Sequence, residues 1–376
     1  MTRIFHTADL HIGLKFTRAS YSPDLREKLV AARVDTLTRL VEKANDEHCE
    51  LFVVAGDMFD HLRVTQTVIR KSAEALRRFA GVVVVLPGNH DFCQRSDDPV
   101  WPHMENALGE GHLILREQRP YDLSDQGIPV VLYPGPCGSK HSSDNAVGWI
   151  RSISPESRDE SKFHIGIAHG SLDGVSPDFD GRYFPMTHRE LEAMGLDLWL
   201  LGHTHIRYPD QLEGSGNRLF YPSTPEPDGF DCRHEGFAWI IDLSRSQPAQ
   251  YRSLATGQYR FHDFDRQLLQ KSDVLALQRE LNGLAAGNQL VKLRLHGQLS
   301  DQLLADLRDA LSSCQPAFGY FEPDTTDVIQ EITQVDIDRE FTQGSFPHRL
   351  LSQLAANQPA SLALQLAYEL VQEAQQ

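Results

Sequence analysis

Two short runs, Leu51-Phe52-Val53-Val54-Ala55 and Val82-Val83-Val84-Val85-Leu86, are apolar at every position. A strand with one wet face alternates polar and apolar residues, so an unbroken run reads as a strand covered on both faces. Between them, Thr65–Phe79 carries a helical pattern. Upstream, Ile4–Ala8 reads as another strand. Asp24–Asn45 reads as a helix, with Leu25, Leu29, Ala32, Leu37, Leu40 and Val41 at helical spacing. Strand–helix–strand–helix–strand order marks a layered α/β domain. Further strands are expected at Val130–Tyr133, Phe163–Ala168, Leu198–Leu201, Leu219–Tyr221 and Phe237–Asp242, joined by loops rich in Gly, Pro and Ser. They predict a second sheet packed on the first.

That domain accounts for residues 1–258. Polar residues and turn signals replace the buried-strand pattern over Ser244–Phe261. Beyond it, Gln267–Leu284 and Asp301–Leu311 read as helices, and Leu290–His296, Gly319–Glu322 and Asp327–Thr333 as strands. A small α+β domain is therefore expected over residues 262–340. The segment 345–376 reads as two helices from Pro347 onward, separated by a turn at Asn357–Pro359. A length of 376 residues suits one large domain with smaller ones attached. No stretch approaches the roughly 20 apolar residues of a membrane helix. The opening Met1-Thr2-Arg3-Ile4-Phe5-His6 enters a strand pattern without the features of a secretory signal. Five scattered cysteines, with no C-x-x-C, fit a reducing cytoplasm rather than a disulfide framework.

Five motifs end apolar runs or lie just beyond them, where α/β folds place ligands. They are Asp9-Leu10-His11, Gly56-Asp57-Met58-Phe59-Asp60, Gly88-Asn89-His90-Asp91, His169-Gly170 and Gly202-His203-Thr204-His205. Their carboxylates, imidazoles and one amide oxygen form a mixed N/O donor set suited to Mn²⁺, Fe²⁺ or Zn²⁺. In D-x-H and H-x-H, alternate residues of an extended segment point the same way and reach one site. Each motif alone has an ordinary reading as a turn or loop. Five in one order, each tied to a strand end, do not.

In that order the motifs resemble the calcineurin-like metallophosphoesterase superfamily over roughly residues 1–245, which implies a four-layer α/β/β/α sandwich around two metal ions. By the resemblance, Asp9, His11 and His205 hold one ion, Asn89, His169 and His203 the other, and Asp57 bridges them. Such ions lie about 3.5–4 Å apart and share a hydroxide that attacks phosphorus in line. His90 matches the general acid that protonates the leaving oxygen, and Asp60 the carboxylate that orients it. Mn²⁺ is the first expectation, Fe²⁺ or Zn²⁺ the alternatives.

Within the superfamily, three features resemble SbcD/YhaO-type DNA repair exonuclease subunits. The opening is Thr7-Ala8-Asp9-Leu10-His11-Ile12-Gly13. A helix of fitting length leads into Val53-Val54-Ala55-Gly56-Asp57-Met58-Phe59-Asp60, which continues His61-Leu62 where phosphatases have Arg-Gly. A small module around Val291-Lys292-Leu293-Arg294-Leu295-His296-Gly297 is similar to a capping domain. The resemblance implies a homodimer that cuts DNA together with an SMC-like coiled-coil ATPase. This sequence has no G-x-x-x-x-G-K-[ST], and Gly135–Lys140 reads as a loop. The final helix, Ser361–Glu373, carries Leu362, Leu366, Leu370 and Val371 and is a candidate partner surface, although such a stripe more often packs on its own domain.

The formal net charge of −16 counts against a free-standing DNA binder, which normally has a basic face. Lys15, Arg18, Arg63, Arg182 and Arg207 neighbour the motifs and are candidates to meet phosphates. His61 is a candidate on the substrate side. Cys93 is expected to fill space, and His6, His48, His112, His164 and His234 to have ordinary surface or core roles. Two alternatives stand beside the nuclease reading: a phosphoesterase for a cyclic nucleotide or nucleotide derivative, and a non-catalytic subunit that binds DNA ends.

Overall fold

The computed structural model describes residues 1–17, 20–93, 100–178, 180–357 and 362–375. They form two compact units, Met1–Arg260 and Phe261–Gln376.

The first unit is built on two sheets. One has seven strands in the order Glu213–Ser215, Gln250–Ala255, Phe237–Leu243, Thr2–Thr7, Leu51–Ala55, Val82–Leu86 and Leu113–Ile114. The last four run parallel, and Thr2–Thr7 pairs antiparallel with Phe237–Leu243. The other sheet has six strands, with Val130–Gly135, Phe163–His169, Leu198–Gly202 and Leu219–Pro222 parallel at its centre.

Alternation along the continuous apolar runs explains their composition. Phe52, Val54, Val83 and Val85 face helices Pro23–Asp46, Gln66–Leu76 and Val100–Leu108, packing on Leu37, Leu40, Leu76, Trp101 and Met104. Leu51, Val53, Val82 and Val84 face the second sheet and meet Val130, Leu132, Ile165, Ile167, Leu198 and Leu200. The outer face of that sheet, with Val131, Tyr133, Trp199 and Leu201, is covered by Val147, Ile150, Leu191 and Met194. The result is the four-layer α/β/β/α sandwich, with its second helical layer reduced to short turns and the helix His188–Ala193.

Phe261–Gln376 is a three-stranded sheet, Arg260–Leu268, Gln289–Leu299 and Tyr320–Gln330, packed with helices Lys271–Leu284 and Asp301–Cys314 through Leu277, Leu281, Leu293, Leu295, Leu307 and Leu311. Helices Gln334–Glu340, Phe346–Asn357 and Leu362–Gln375 share a smaller core of Ile337, Phe341, Leu351, Leu364 and Tyr368.

Several boundaries differ from the sequence reading. Ser244–Phe261 contains a strand, Gln250–Ala255, whose outer position in the sheet leaves most of its side chains partly wet and hides the buried-strand signal. Gln267 and Leu268 close a strand, and the helix starts at Lys271. The two strands expected across Gly319–Thr333 are one, Tyr320–Gln330. Pro323 suggests an interruption, but an edge strand tolerates proline. In the final helix the packed face carries Leu364 and Tyr368, with Val371 at its margin, while Leu366 and Leu370 are exposed. Ser361 and residues 358–359 of the expected turn lie outside the described residues, as does Arg18. Among the described residues no helix is long and apolar enough to cross a membrane.

Candidate metal centre

Parallel strands end at a common edge, so the loops after Thr7, Ala55 and Leu86 emerge beside one another. In the second sheet His169 and Gly202 are register partners at the ends of their strands. All five motifs therefore meet at the carboxyl edges of the two sheets. The loops are fastened by main-chain bonds: the Asp9 amide donates to the Gly56 carbonyl (3.1 Å) and the His11 amide to the Asp57 carbonyl (3.0 Å).

The backbone there is strained. Asp9 (φ 55°), His11 (φ 44°), Asp57 (φ 50°) and His203 (φ 95°) all occupy the left-handed region although none is glycine. Such conformations cost of order 1–3 kcal/mol each and gather at functional sites. Two glycines make room. A Cβ on Gly56 (φ 95°) would lie 2.0 Å from His169 Nδ1, and one on Gly88 would lie 2.2 Å from Asp57 Oδ1.

The side chains form two adjoining groups. His169 donates Nδ1–H to the Ala55 carbonyl (2.9 Å), which leaves Nε2 as a lone pair. That nitrogen faces Asn89 Oδ1 at 3.0 Å and Asp57 Oδ2 at 3.2 Å, and Asn89 Oδ1 also lies 3.0 Å from His203 Nδ1. On the other side, His11 Nε2 and His205 Nε2 are 3.1 Å apart, 3.8 Å from Asp57 Oδ2 and Asp9 Oδ1 respectively. Asp9, His11 and His205 bring ligand atoms within 4.8 Å of one another, as do Asp9, Asp57 and His169.

Acceptors crowded in this way repel unless a cation lies among them. Without one, protons take its place. Burial disfavours a charged His169, yet Asp57 and Asp9 outweigh it and hold its pKa at about 9. Burial, reinforced by Asp57, lifts Asp9 to about 7 against the pull of His169 and His11. Asp57 is buried too, but His169 holds it below the usual carboxylate range. Burial lowers His203 to about 3 and His205 to about 4, so both present neutral rings. Neutral imidazoles, carboxylates and an amide oxygen fit divalent ions of the Mn, Fe or Zn type.

His90 lies beside this group and is about one third exposed. Its amide donates to Asp57 Oδ1 (2.8 Å), and its ring meets His11 edge-on at 4.7 Å. Its orienting bond differs from the expected carboxylate contact. Nδ1–H donates to the Asp60 main-chain carbonyl (3.0 Å), while Asp60 Oδ1 is 3.9 Å away and nearer to His11 Nδ1, at 3.6 Å.

The phosphate candidates are less concentrated. Arg207 bonds Ser253 Oγ (3.1 Å) and the Asp210 carbonyl (2.6 Å) and lies over Phe237, so its guanidinium is committed to the fold. Arg182 is exposed beside Asp180, and Lys15 and Arg63 are exposed. His61 Nδ1 accepts the Arg63 amide (3.1 Å). Cys93 packs at the margin of the helical-side core.

The sequence assigns no site role to the residues that support this group, among them His234, for which it suggests an ordinary surface or core role. Buried Asp91 accepts the Gly88 amide (2.7 Å) and the Phe59 amide (2.9 Å), locking two motif loops together. His234 accepts the Gly236 amide at Nδ1 (3.0 Å), so Nε2–H donates to the His205 carbonyl (2.8 Å). Thr224 Oγ1 donates to the Asp9 carbonyl (2.9 Å). Buried Arg33 donates to the carbonyls of Leu10 (3.1 Å) and Glu226 (2.9 Å). Two of them left a signal: Asp91 closes the Gly88-Asn89-His90-Asp91 motif, and Arg33 interrupts the apolar face between Leu29 and Leu37, one helical step from each.

The calcineurin-like phosphoesterase family matches residues 2–207, more than half of the chain, and the chain belongs to that family. It is 28% identical over 242 residues to the uncharacterized metallophosphoesterase YhaO of Bacillus subtilis (strain 168), covering 61% of this chain and 53% of that protein. It is 28% identical over 239 residues to the DNA double-strand break repair protein Mre11 of Methanopyrus kandleri, covering 60% of this chain and 49% of that protein. The chain thus spans about half the length of these relatives. Among solved structures, TT1561 of Thermus thermophilus matches at 11% identity and a TM-score of 0.43, over 68% of this chain and 99% of that one.

Proposed function

We propose that this chain is a Mn²⁺-dependent two-metal phosphodiesterase that cuts DNA, serving as the nuclease subunit of a repair assembly with a second copy of itself and an SMC-like coiled-coil ATPase. The observation that carries the chemistry is the convergence of seven donors, Asp9, His11, Asp57, Asn89, His169, His203 and His205, with His90 beside them. Asp9, His11 and His205 would hold one ion, Asn89, His169 and His203 the other, and Asp57 both. When bound, the ions supply Lewis acidity, which offsets charge on the phosphoryl oxygens and makes water a nucleophile at neutral pH.

The chain's own residues do the rest. The Ala55 carbonyl fixes the His169 tautomer. The Asp60 carbonyl holds His90 Nδ1–H in both protonation states, so the exchangeable proton sits on Nε2. From there it passes to the leaving oxygen, a step worth typically ~10²–10⁴-fold in rate. Burial lowers the His90 pKa, and the Asp57 and Asp60 carboxylates pull the other way, toward the charged ring that must exist before transfer.

The name of the Methanopyrus relative supports DNA as substrate. The net charge of −16 favours the alternative, a small nucleotide phosphoester. Incubation with Mn²⁺ and linear duplex DNA, single-stranded DNA or a cyclic nucleotide, in parallel, separates the two. Release of nucleotides from DNA supports the nuclease. Turnover of the cyclic nucleotide alone moves the assignment to the small substrate, and tight DNA-end binding without cleavage moves it to a non-catalytic subunit.

A further inference from the structure

Asp228 lies in a loop of the first unit that no motif marks, and its carboxylate sits between two groups of opposite kind. On one side is buried Arg33, whose Nη2 faces Asp228 Oδ2 at 3.3 Å. On the other is His205, whose Nδ1 faces the same oxygen at 3.9 Å. The His205 nitrogen at the far edge of the ring, Nε2, points into the group formed with His11 and Asp9. The carboxylate therefore stands behind a donor ring, on the side away from the donor atom.

Arg33 is itself fixed. Its Nη1 donates to the Leu10 and Glu226 carbonyls and lies 3.4 Å from Thr224 Oγ1, and Thr224 bonds the Asp9 carbonyl. The Glu226 carboxylate is held by the amides of Gln258 and Tyr259 and by Thr36. One network thus ties the helix Pro23–Asp46, the Asp9–His11 loop and the Asp228 loop together.

We propose that Asp228, held by Arg33, is a positioning residue that keeps the proton of His205 on Nδ1 and aims its Nε2 lone pair at the ion shared with Asp9 and His11. This rests on the two-metal reading above. A carboxylate behind a ligating imidazole fixes its tautomer and strengthens it as a donor, and its loss typically costs ~10–100-fold in metal affinity. The direct gap of 3.9 Å is an electrostatic contact rather than a hydrogen bond. The effect falls on one ion, because the group around Asn89, His169 and His203 has no contact with Asp228 among the described residues.

The test is Mn²⁺ titration calorimetry of the wild-type chain and Asp228→Asn, with the melting temperature of each metal-free protein. Two ions bound by the wild type, and a ~10–100-fold weaker affinity for only one of them in Asp228→Asn, is the expected result. Equal weakening of both ions together with a lower melting temperature would mean a merely structural role and overturn the inference. So would unchanged affinities. A wild type that binds no Mn²⁺ overturns the two-metal reading and the inference with it. If Asp228→Asn does not fold, imidazole ¹⁵N shifts of the metal-free wild type, assigned with His205→Gln, decide: a His205 ring protonated on Nδ1 is expected, and one protonated on Nε2 refutes the assignment.

Discussion

His6 gives the sharpest stability prediction. It lies in the strand Thr2–Thr7, opposite Val53 and Trp239, and is fully buried. Alternation puts it on the side of Ile4, in the layer between the sheets. Burial lowers its pKa from 6.5 to about 3, against a weaker opposing pull from the Leu201 main chain. A histidine depressed in the folded state is neutral there while the unfolded chain takes up a proton. Its contribution to stability is therefore whole above the unfolded pKa and lost as pH falls toward the folded one. At about 1.4 kcal/mol per pH unit, the loss between pH 7 and pH 4 is ~3 kcal/mol. His6→Leu removes this pH dependence. Urea unfolding of wild type and variant, both metal-free in chelator at pH 7 and pH 4, isolates it from the carboxylates that titrate in both proteins. The stability difference is expected to move by ~3 kcal/mol in favour of the variant at pH 4. A difference that stays the same at both pH values refutes a neutral, buried imidazole.

Three further outcomes follow from the site. His90→Gln is expected to lower kcat by ~10²–10⁴-fold while binding two Mn²⁺, checked by steady-state rates and metal analysis. Burial lowers the His90 pKa, so the wild-type kcat should fall as pH rises through that value, and the pH profile of His90→Gln should lack this limb. Gly56→Ala combines a positive φ with a Cβ 2.0 Å from His169 Nδ1. Backbone strain of roughly 1–3 kcal/mol and overpacking of similar size should lower the melting temperature in calorimetry and weaken Mn²⁺ binding.

The sandwich was legible because two adjoining strands, Leu51–Ala55 and Val82–Leu86, are buried on both faces and carry no polar residue to blur them. The meeting of the five motifs was legible because each sits where a parallel strand ends, and strand ends converge. Gln250–Ala255 escaped because most of its side chains are partly or fully wet. Arg260–Leu268 does alternate in burial, but its half-buried positions carry His262 and Arg266 as well as Phe264, so no apolar–polar alternation shows in the sequence. The link between Asp228 and His205 escaped for a different reason: residues far apart in sequence meet only after folding, and neither Thr224 nor Asp228 belongs to a periodic pattern. The His90 contact shows the same limit. Sequence placed Asp60 beside it, but a sequence motif does not reveal that the main-chain carbonyl, rather than the carboxylate, accepts Nδ1–H.

Cleavage of linear duplex DNA with Mn²⁺, measured together with the metal content of wild type, His90→Ala and Asp57→Ala, tests the central claim most directly. The account predicts two ions and nucleotide release for the wild type, two ions without release for His90→Ala, and loss of both for Asp57→Ala. Undiminished cleavage by Asp57→Ala, or a wild type that neither binds Mn²⁺ nor cleaves any phosphodiester, would contradict it.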